Sequence, residues 1–129
     1  MNLLEAVLQH IHQSGIASFG LDMFANSYPA RAPDECLLVI DNGGTRDAYW
    51  ERSDRAIQVV SRSSIYPAAY DKIQRVCDLF HGETARANYQ LGQYYVYTSR
   101  MAQEPGYIGD DEKGRPEISV NLVFTVRSG

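Results

Sequence analysis

The chain is poor in the residues that most often disclose a function. Its 129 residues hold two cysteines, Cys36 and Cys77, and neither stands in a CxxC pair. Thiols stay reduced in the cytosol, and both cysteines sit in apolar patterns, so each reads as a small core hydrophobe. Basic runs are missing. The net charge is −4, which argues against nucleic-acid binding by phosphate neutralisation. No apolar run approaches a membrane span. An acid, Glu5, stands where a secretion signal would be basic, so no signal is expected. Repeats and low-complexity tracts are absent too. What remains is one domain with a core of moderate size. Tyrosine is the exception, with nine copies; it suits both strands and wet protein interfaces.

The clearest pattern lies near the C-terminus. Ile118, Val120, Leu122, Phe124 and Val126 alternate with Ser119, Asn121, Thr125 and Arg127, the period of a strand with one face in a core. Val123 interrupts the polar row and predicts partial cover on the second face. Tyr94 to Thr98 reads as another strand. A polar, Gly- and Pro-rich segment, residues 99–116, joins the two. Its length marks it as functional or disordered, and it reads as a hairpin arm reaching away from the core.

Earlier in the chain, Asn2 and Glu5 form a capping box for a helix. Its apolar stripe is Leu3, Leu4, Val7, Leu8 and Ile11, and it stops at Ser14-Gly15. Residues 16–35 lack a period but are too apolar for a free linker, so they should pack on the domain or on a neighbour. Cys36 to Ile40 reads as a buried strand and Asp41-Asn42-Gly43-Gly44 as a turn. Arg55 to Arg62 gives another strand. Ser63-Ser64-Ile65-Tyr66-Pro67 then prepares a second helix through hydroxyl caps and an early proline. That helix carries Ala69, Ile73, Val76, Cys77 and Phe80 and closes at His81-Gly82. The expected fold is α+β, a mostly antiparallel sheet of about four strands with two helices packed on it.

Catalytic constellations are hard to find. The Gly43-Gly44 pair is followed by Thr45 to Trp50, without the further glycines, lysine and helix of a phosphate loop. No GxSxG elbow occurs. His10 and His12 point to different sides of their helix and cannot share a metal there. The densest charged cluster, Asp110-Asp111-Glu112-Lys113-Gly114-Arg115, lacks the alternating ligands of a calcium loop. It reads as a solvated loop tip. The rival is a small ligand-binding or enzymatic domain that gathers Asp110, Asp111, Glu112 and His81 in a pocket with raised carboxyl pKa values. Trp50, the only tryptophan, is either core or an exposed interface anchor. No catalytic residue, metal or cofactor is expected.

Taken in order, these pieces resemble the small tail terminator (tail completion) proteins of long-tailed bacteriophages, often described as minor capsid proteins. Four stretches carry the likeness: the first helix with Leu21 to Pro29; Leu37 to Gly44; Ile57 to Ser63 with Tyr66 and Ala69-Tyr70; and Pro105 to Arg115 leading into Ile118 to Leu122. The resemblance spans nearly the whole chain. It implies a structural virion protein, assembled in the host cytoplasm, that is not an enzyme. Such a protein forms a homohexameric ring on the tail tube protein, stops tube polymerisation and meets the connector and neck proteins of the head. DNA crosses its channel only in transit, and no membrane is involved. A head-side neck adaptor with the same order of elements is the alternative. In either ring, the expected contact to a neighbour or to the tube is the arm, through Tyr107, Ile108, Asp110, Asp111, Glu112 and Arg115, with Trp50 as a further anchor.

Overall fold

The computed structural model describes residues 2–128. Two helices pack on one face of a seven-stranded sheet. The elements run α1 (Leu3–Gln13), β1 (Met23–Ala25), β2 (Cys36–Arg46), β3 (Ser53–Arg62), α2 (Tyr66–Phe80), β4 (Arg86–Leu91), β5 (Tyr94–Met101), β6 (Gly106–Asp110) and β7 (Pro116–Ser128). Across the sheet the order is β1-β2-β3-β7-β5-β4, and β6 also pairs with β7. Every pairing is antiparallel except that of β1 with β2. The α+β class holds, but the sheet has seven strands where about four were expected.

The long C-terminal strand β7 is the axis. Along one side it pairs with β3 for its whole useful length, from Glu117 opposite Arg62 to Val126 opposite Ser53. Along the other side it takes two partners in succession. β6 covers its first residues, Tyr107 lying opposite Ile118. β5 covers the rest, from Met101 opposite Leu122 to Tyr94 opposite Ser128. Half of the segment 99–116 is therefore strand. β5 runs on to Met101, the chain steps out over four residues, and β6 returns to the same partner. Beyond the pairing lie those four residues, 102–105, and the short turn at residues 111–115. Sequence pattern missed β6 because its side chains are mostly exposed and two of its five residues are glycine, so no buried alternation marks it.

One other departure has an equally local cause. The Asp41-to-Gly44 stretch does not turn the chain. Asn42 and Gly43 bulge opposite Ala56 within β2, and pairing resumes at Gly44 opposite Arg55. The bulge is held by Asp41, whose carboxylate accepts from the Gly43 N–H at 2.8 Å and pairs with Arg55 at 2.9 Å. Tyr89 and Leu91 belong to a separate strand, β4, which folds back on β5 around Gly92 at φ +60°.

The helices form as their sequences dictate. Asn2 accepts from the Glu5 N–H and Glu5 accepts from the Asn2 N–H, closing the capping box on α1. The whole predicted stripe of α1 is buried, as is that of α2. The α2 cap differs from expectation. Ile65 takes the N-cap position without a side-chain bond, and the Ser63 hydroxyl accepts from the Ile65 N–H instead. Beneath the helices lie Leu37, Val39, Ile57, Val59, Val96 and the five alternating apolar residues of β7. Phe80 meets Phe124 edge to face, with centroids 5.4 Å apart. The opposite sheet face is covered at one corner, as Val123 hinted that some cover would exist, though the cover sits further along. Here residues 26–35 fold across the outer face. Tyr28 donates its hydroxyl to Glu117 at 2.9 Å and stacks under the Arg62 guanidinium.

Candidate interaction surfaces

Two exposed aromatic surfaces stand out, one at each end of β7. The first is the tip of the β2–β3 hairpin. Asp47 builds it: its N–H donates to the Arg52 carbonyl, its carboxylate accepts from the Tyr49 N–H, and it pairs with Arg52 at 3.4 Å. This turn pushes Tyr49 and Trp50 outward, 92% and 71% exposed. Trp50 is thus exposed and not a core residue. Tyr97 and Arg127 line a cleft with these residues. Tyr97 meets Tyr95 edge to face, and Arg127 lies over the Tyr95 ring.

The second surface lies where β6 passes the start of α2. Tyr107 packs edge-on against Tyr66, and Tyr66 stacks on Tyr70. Ile65, Tyr107 and Ile108 are each more than half exposed. The Tyr107 hydroxyl donates to Asp110 at 2.7 Å, a bond that raises its pKa. Tyr66, Tyr107, Asp110 and Pro116 line a shallow cleft.

The acidic cluster is in part the solvated tip that its sequence suggests: Asp110, Glu112 and Lys113 are exposed, whereas Asp111 and Arg115 are partly buried and paired. Asp111 accepts from the N–H groups of Lys113 and Arg115 and so closes the turn. Both of its oxygens are then committed, because the Arg115 guanidinium binds it at 2.7–2.8 Å. Arg115 also reaches Asp34 at 2.8 Å. Arg62, almost wholly buried, approaches Asp111 at 3.6 Å and donates to the carbonyls of Pro33 and Asp34. The side-chain hydrogen bonds from Arg115, foremost among the causes, pull the Asp111 carboxyl down to about 2. Asp111 and Arg115 thus fasten the β6–β7 turn to residues 33–34 and to the end of β3. Glu112 stays exposed.

The predicted residues therefore separate into three places. Tyr107 and Asp110 share the β6 cleft, with Ile108 exposed on the same strand; Asp111 and Arg115 form the latch behind it, with Glu112 exposed on its turn; and Trp50 lies at the far end of the sheet. Sequence reasoning missed Tyr49, Tyr66, Tyr70, Tyr95 and Tyr97 as surface residues. The tyrosine excess was their signal, but it could not be placed without the pairing. His81 does not join the acids. It caps the C-terminal end of α2, about 20 Å along that 15-residue helix from Tyr66, and its Nδ1 accepts from the Met101 N–H. The one acid with a strongly shifted pKa moves down, the opposite of what an acid catalyst needs. Among the described residues, no group of His, Cys, Asp and Glu could hold a metal ion. No helix among them is long and apolar enough to cross a membrane.

The pattern of the bacteriophage tail terminator proteins matches residues 10–127, all but the two ends of the chain. The chain belongs to that family. It is accordingly a structural component of the phage tail, as the resemblance implied. No curated protein sequence matches it significantly. Within the terminator family match fall both aromatic surfaces and the latch between Asp111, Arg115, Asp34 and Arg62.

Proposed function

We propose that the chain closes the end of the phage tail tube as a six-membered ring, stops further addition of tube subunits, and offers its other face to the connector and neck proteins of the filled head. The observation that carries this reading is the family match over residues 10–127. The surface chemistry agrees with it. Large exposed aromatic side chains are the usual anchors of protein contacts, and here they occur on two separate parts of the domain. Six copies of a −4 chain carry about −24, so the ring repels DNA in transit and lets it pass.

The test is to disable the gene in its phage and image the lysate by electron microscopy. Tails of uncontrolled length beside filled, tailless heads are the expected result. Normal-length free tails beside unfilled or leaking heads would move the protein to the head side of the joint. Intact, infectious virions would overturn the structural role altogether.

A further inference from the structure

The two aromatic surfaces cannot satisfy each other within one chain. Tyr107 lies opposite Ile118, and Tyr95 lies opposite Arg127. At ~3.3 Å per residue, those positions on β7 stand about 30 Å apart. They also face opposite ways. Ile118 and Val126 both point into the helix-covered core, so Tyr107 stands on the helix side of the sheet. Tyr95, paired one residue beyond Val126, stands on the bare side. A patch on one face and end, with a different patch on the opposite face and end, is the arrangement that joins copies head to tail.

The chemistry of the two is complementary rather than alike. The tip cleft holds Tyr49, Trp50 and two guanidinium groups, Arg52 and Arg127, with one carboxylate, Glu51. The β6 cleft holds two tyrosine rings and one carboxylate, Asp110. Guanidinium groups favour both carboxylates and aromatic faces. Trp and Tyr side chains each bury ~150–250 Å² when covered, so the tip supplies the apolar centre that a specific contact needs.

We infer that the partner of the β2–β3 tip is the β6 cleft of a second copy of this chain: Tyr49 and Trp50 of one subunit seat against Tyr66, Tyr107 and Ile108 of the next, with Asp110 facing the tip arginines. The inference rests on the ring reading above and names the contact that closes the ring. It replaces the arm as the reaching element. The hairpin tip reaches, and the former arm receives.

The test sizes the purified full chain by sedimentation, alone and on tail tubes prepared from phage that lack it. Three proteins are compared: wild type, a tip variant with Tyr49→Ser and Trp50→Ala, and a cleft variant with Tyr107→Ala and Ile108→Ser. All changed residues are exposed, and circular dichroism verifies that each variant folds. Wild type should form the ring, and each variant alone should associate at least tenfold more weakly. A mixture of the two variants should give one-to-one heterodimers, because one intact tip and one intact cleft remain. Trp50 is the sole tryptophan, so its emission should shift to the blue in the wild-type ring and stay unshifted when wild type is mixed with excess tip variant lacking it only if the contact is absent. A ring that survives either variant, or a mixture that stays monomeric, would overturn this interface and leave the terminator reading standing. Wild type that neither assembles nor binds tube ends would overturn the terminator reading itself.

Discussion

Replacing Gly44 by alanine should cost the protein about 3 kcal/mol, although alanine is the better strand residue. Gly44 lies just past the β2 bulge, paired with Arg55. A Cβ built there would overlap the Asp54 carbonyl oxygen outright and lie 2.8 Å from the Asp54 carbonyl carbon and 2.9 Å from the Arg55 Cα. These are backbone atoms, so no side chain can swing aside. Strands β2 and β3 must part, and β3 is itself held to β7 through the same residues. Overpacking costs ~1–3 kcal/mol, and a strained ladder hydrogen bond adds about 1 kcal/mol. Against this stands a gain of ~0.4–1 kcal/mol, because alanine restricts the unfolded chain. The steric term wins.

For a chain of this length, the loss corresponds to a Tm lower by about 10 °C. Urea unfolding followed by far-UV circular dichroism is the suitable assay, since exposed Trp50 reports folding poorly. Gly106→Ala is the matched control. A Cβ there meets nothing within 4 Å, so it should leave stability unchanged or raise it by ~0.4–1 kcal/mol. Gly44→Ala as stable as wild type would refute the close approach of the two strands. It would also remove the reason why the hairpin base is stiff enough to present Trp50.

Three further outcomes follow from the packing and the charges. Phe124→Ala should cost about 3–5 kcal/mol in the same urea assay, because Phe124 is fully buried against Phe80. The Asp111 carboxyl has a folded pKa of about 2, below its ordinary value of 3.8. Its contribution to stability is therefore complete above that ordinary value and fades as pH falls toward 2. Urea midpoints measured across this range should fall for wild type and fall less for Asp111→Asn. Both thiols are buried, and burial raises their pKa values, that of Cys77 to about 12. Neither should react with a thiol reagent at pH 8 until the chain unfolds.

How much of this was legible beforehand depended on burial. Where one face is packed, periodicity names the residues. All five alternating side chains of β7 and both helix stripes lie where their spacing put them. Residues 16–35 lack a period, and their apolar content put them on the domain or on a neighbour; Met23 and Tyr28 lie against the domain, whereas Phe19 and Leu21 stay exposed. Where the chain is exposed, pattern gives no warning. β6 is invisible because its neighbour β7, and not its own side chains, makes it a strand. The bulge at Asn42-Gly43 looks like a turn because a turn and a bulge ask the same thing of glycine, a positive φ, here +75° at Gly43. Only the partner strand decides between them. The aromatic surfaces combine residues up to 78 positions apart, such as Tyr49 with Arg127, and a linear reading cannot assemble them.

The run from Tyr107 to Arg115 shows why a charge cluster should be divided before it is assigned a role. Read as one polar arm, it offers acids, bases and aromatics to a single partner. In the folded chain, its charges are spent unequally. Asp111 and Arg115 satisfy each other and then bind inward, to Asp34 and towards buried Arg62. Arg62 could not be left there without a carboxylate, since an unpaired buried charge is costly. The latch therefore serves the domain, by holding residues 33–34 and the β6–β7 turn in register. Tyr107, Ile108 and Asp110 face outward and remain available to a partner. Substitutions at Asp111 or Arg115 should thus act on assembly only through the position of β6, with a matching loss of stability. Substitutions at Tyr107 or Ile108 should weaken assembly at unchanged stability. The ratio of the two effects, residue by residue, separates a surface that binds from the scaffold that presents it.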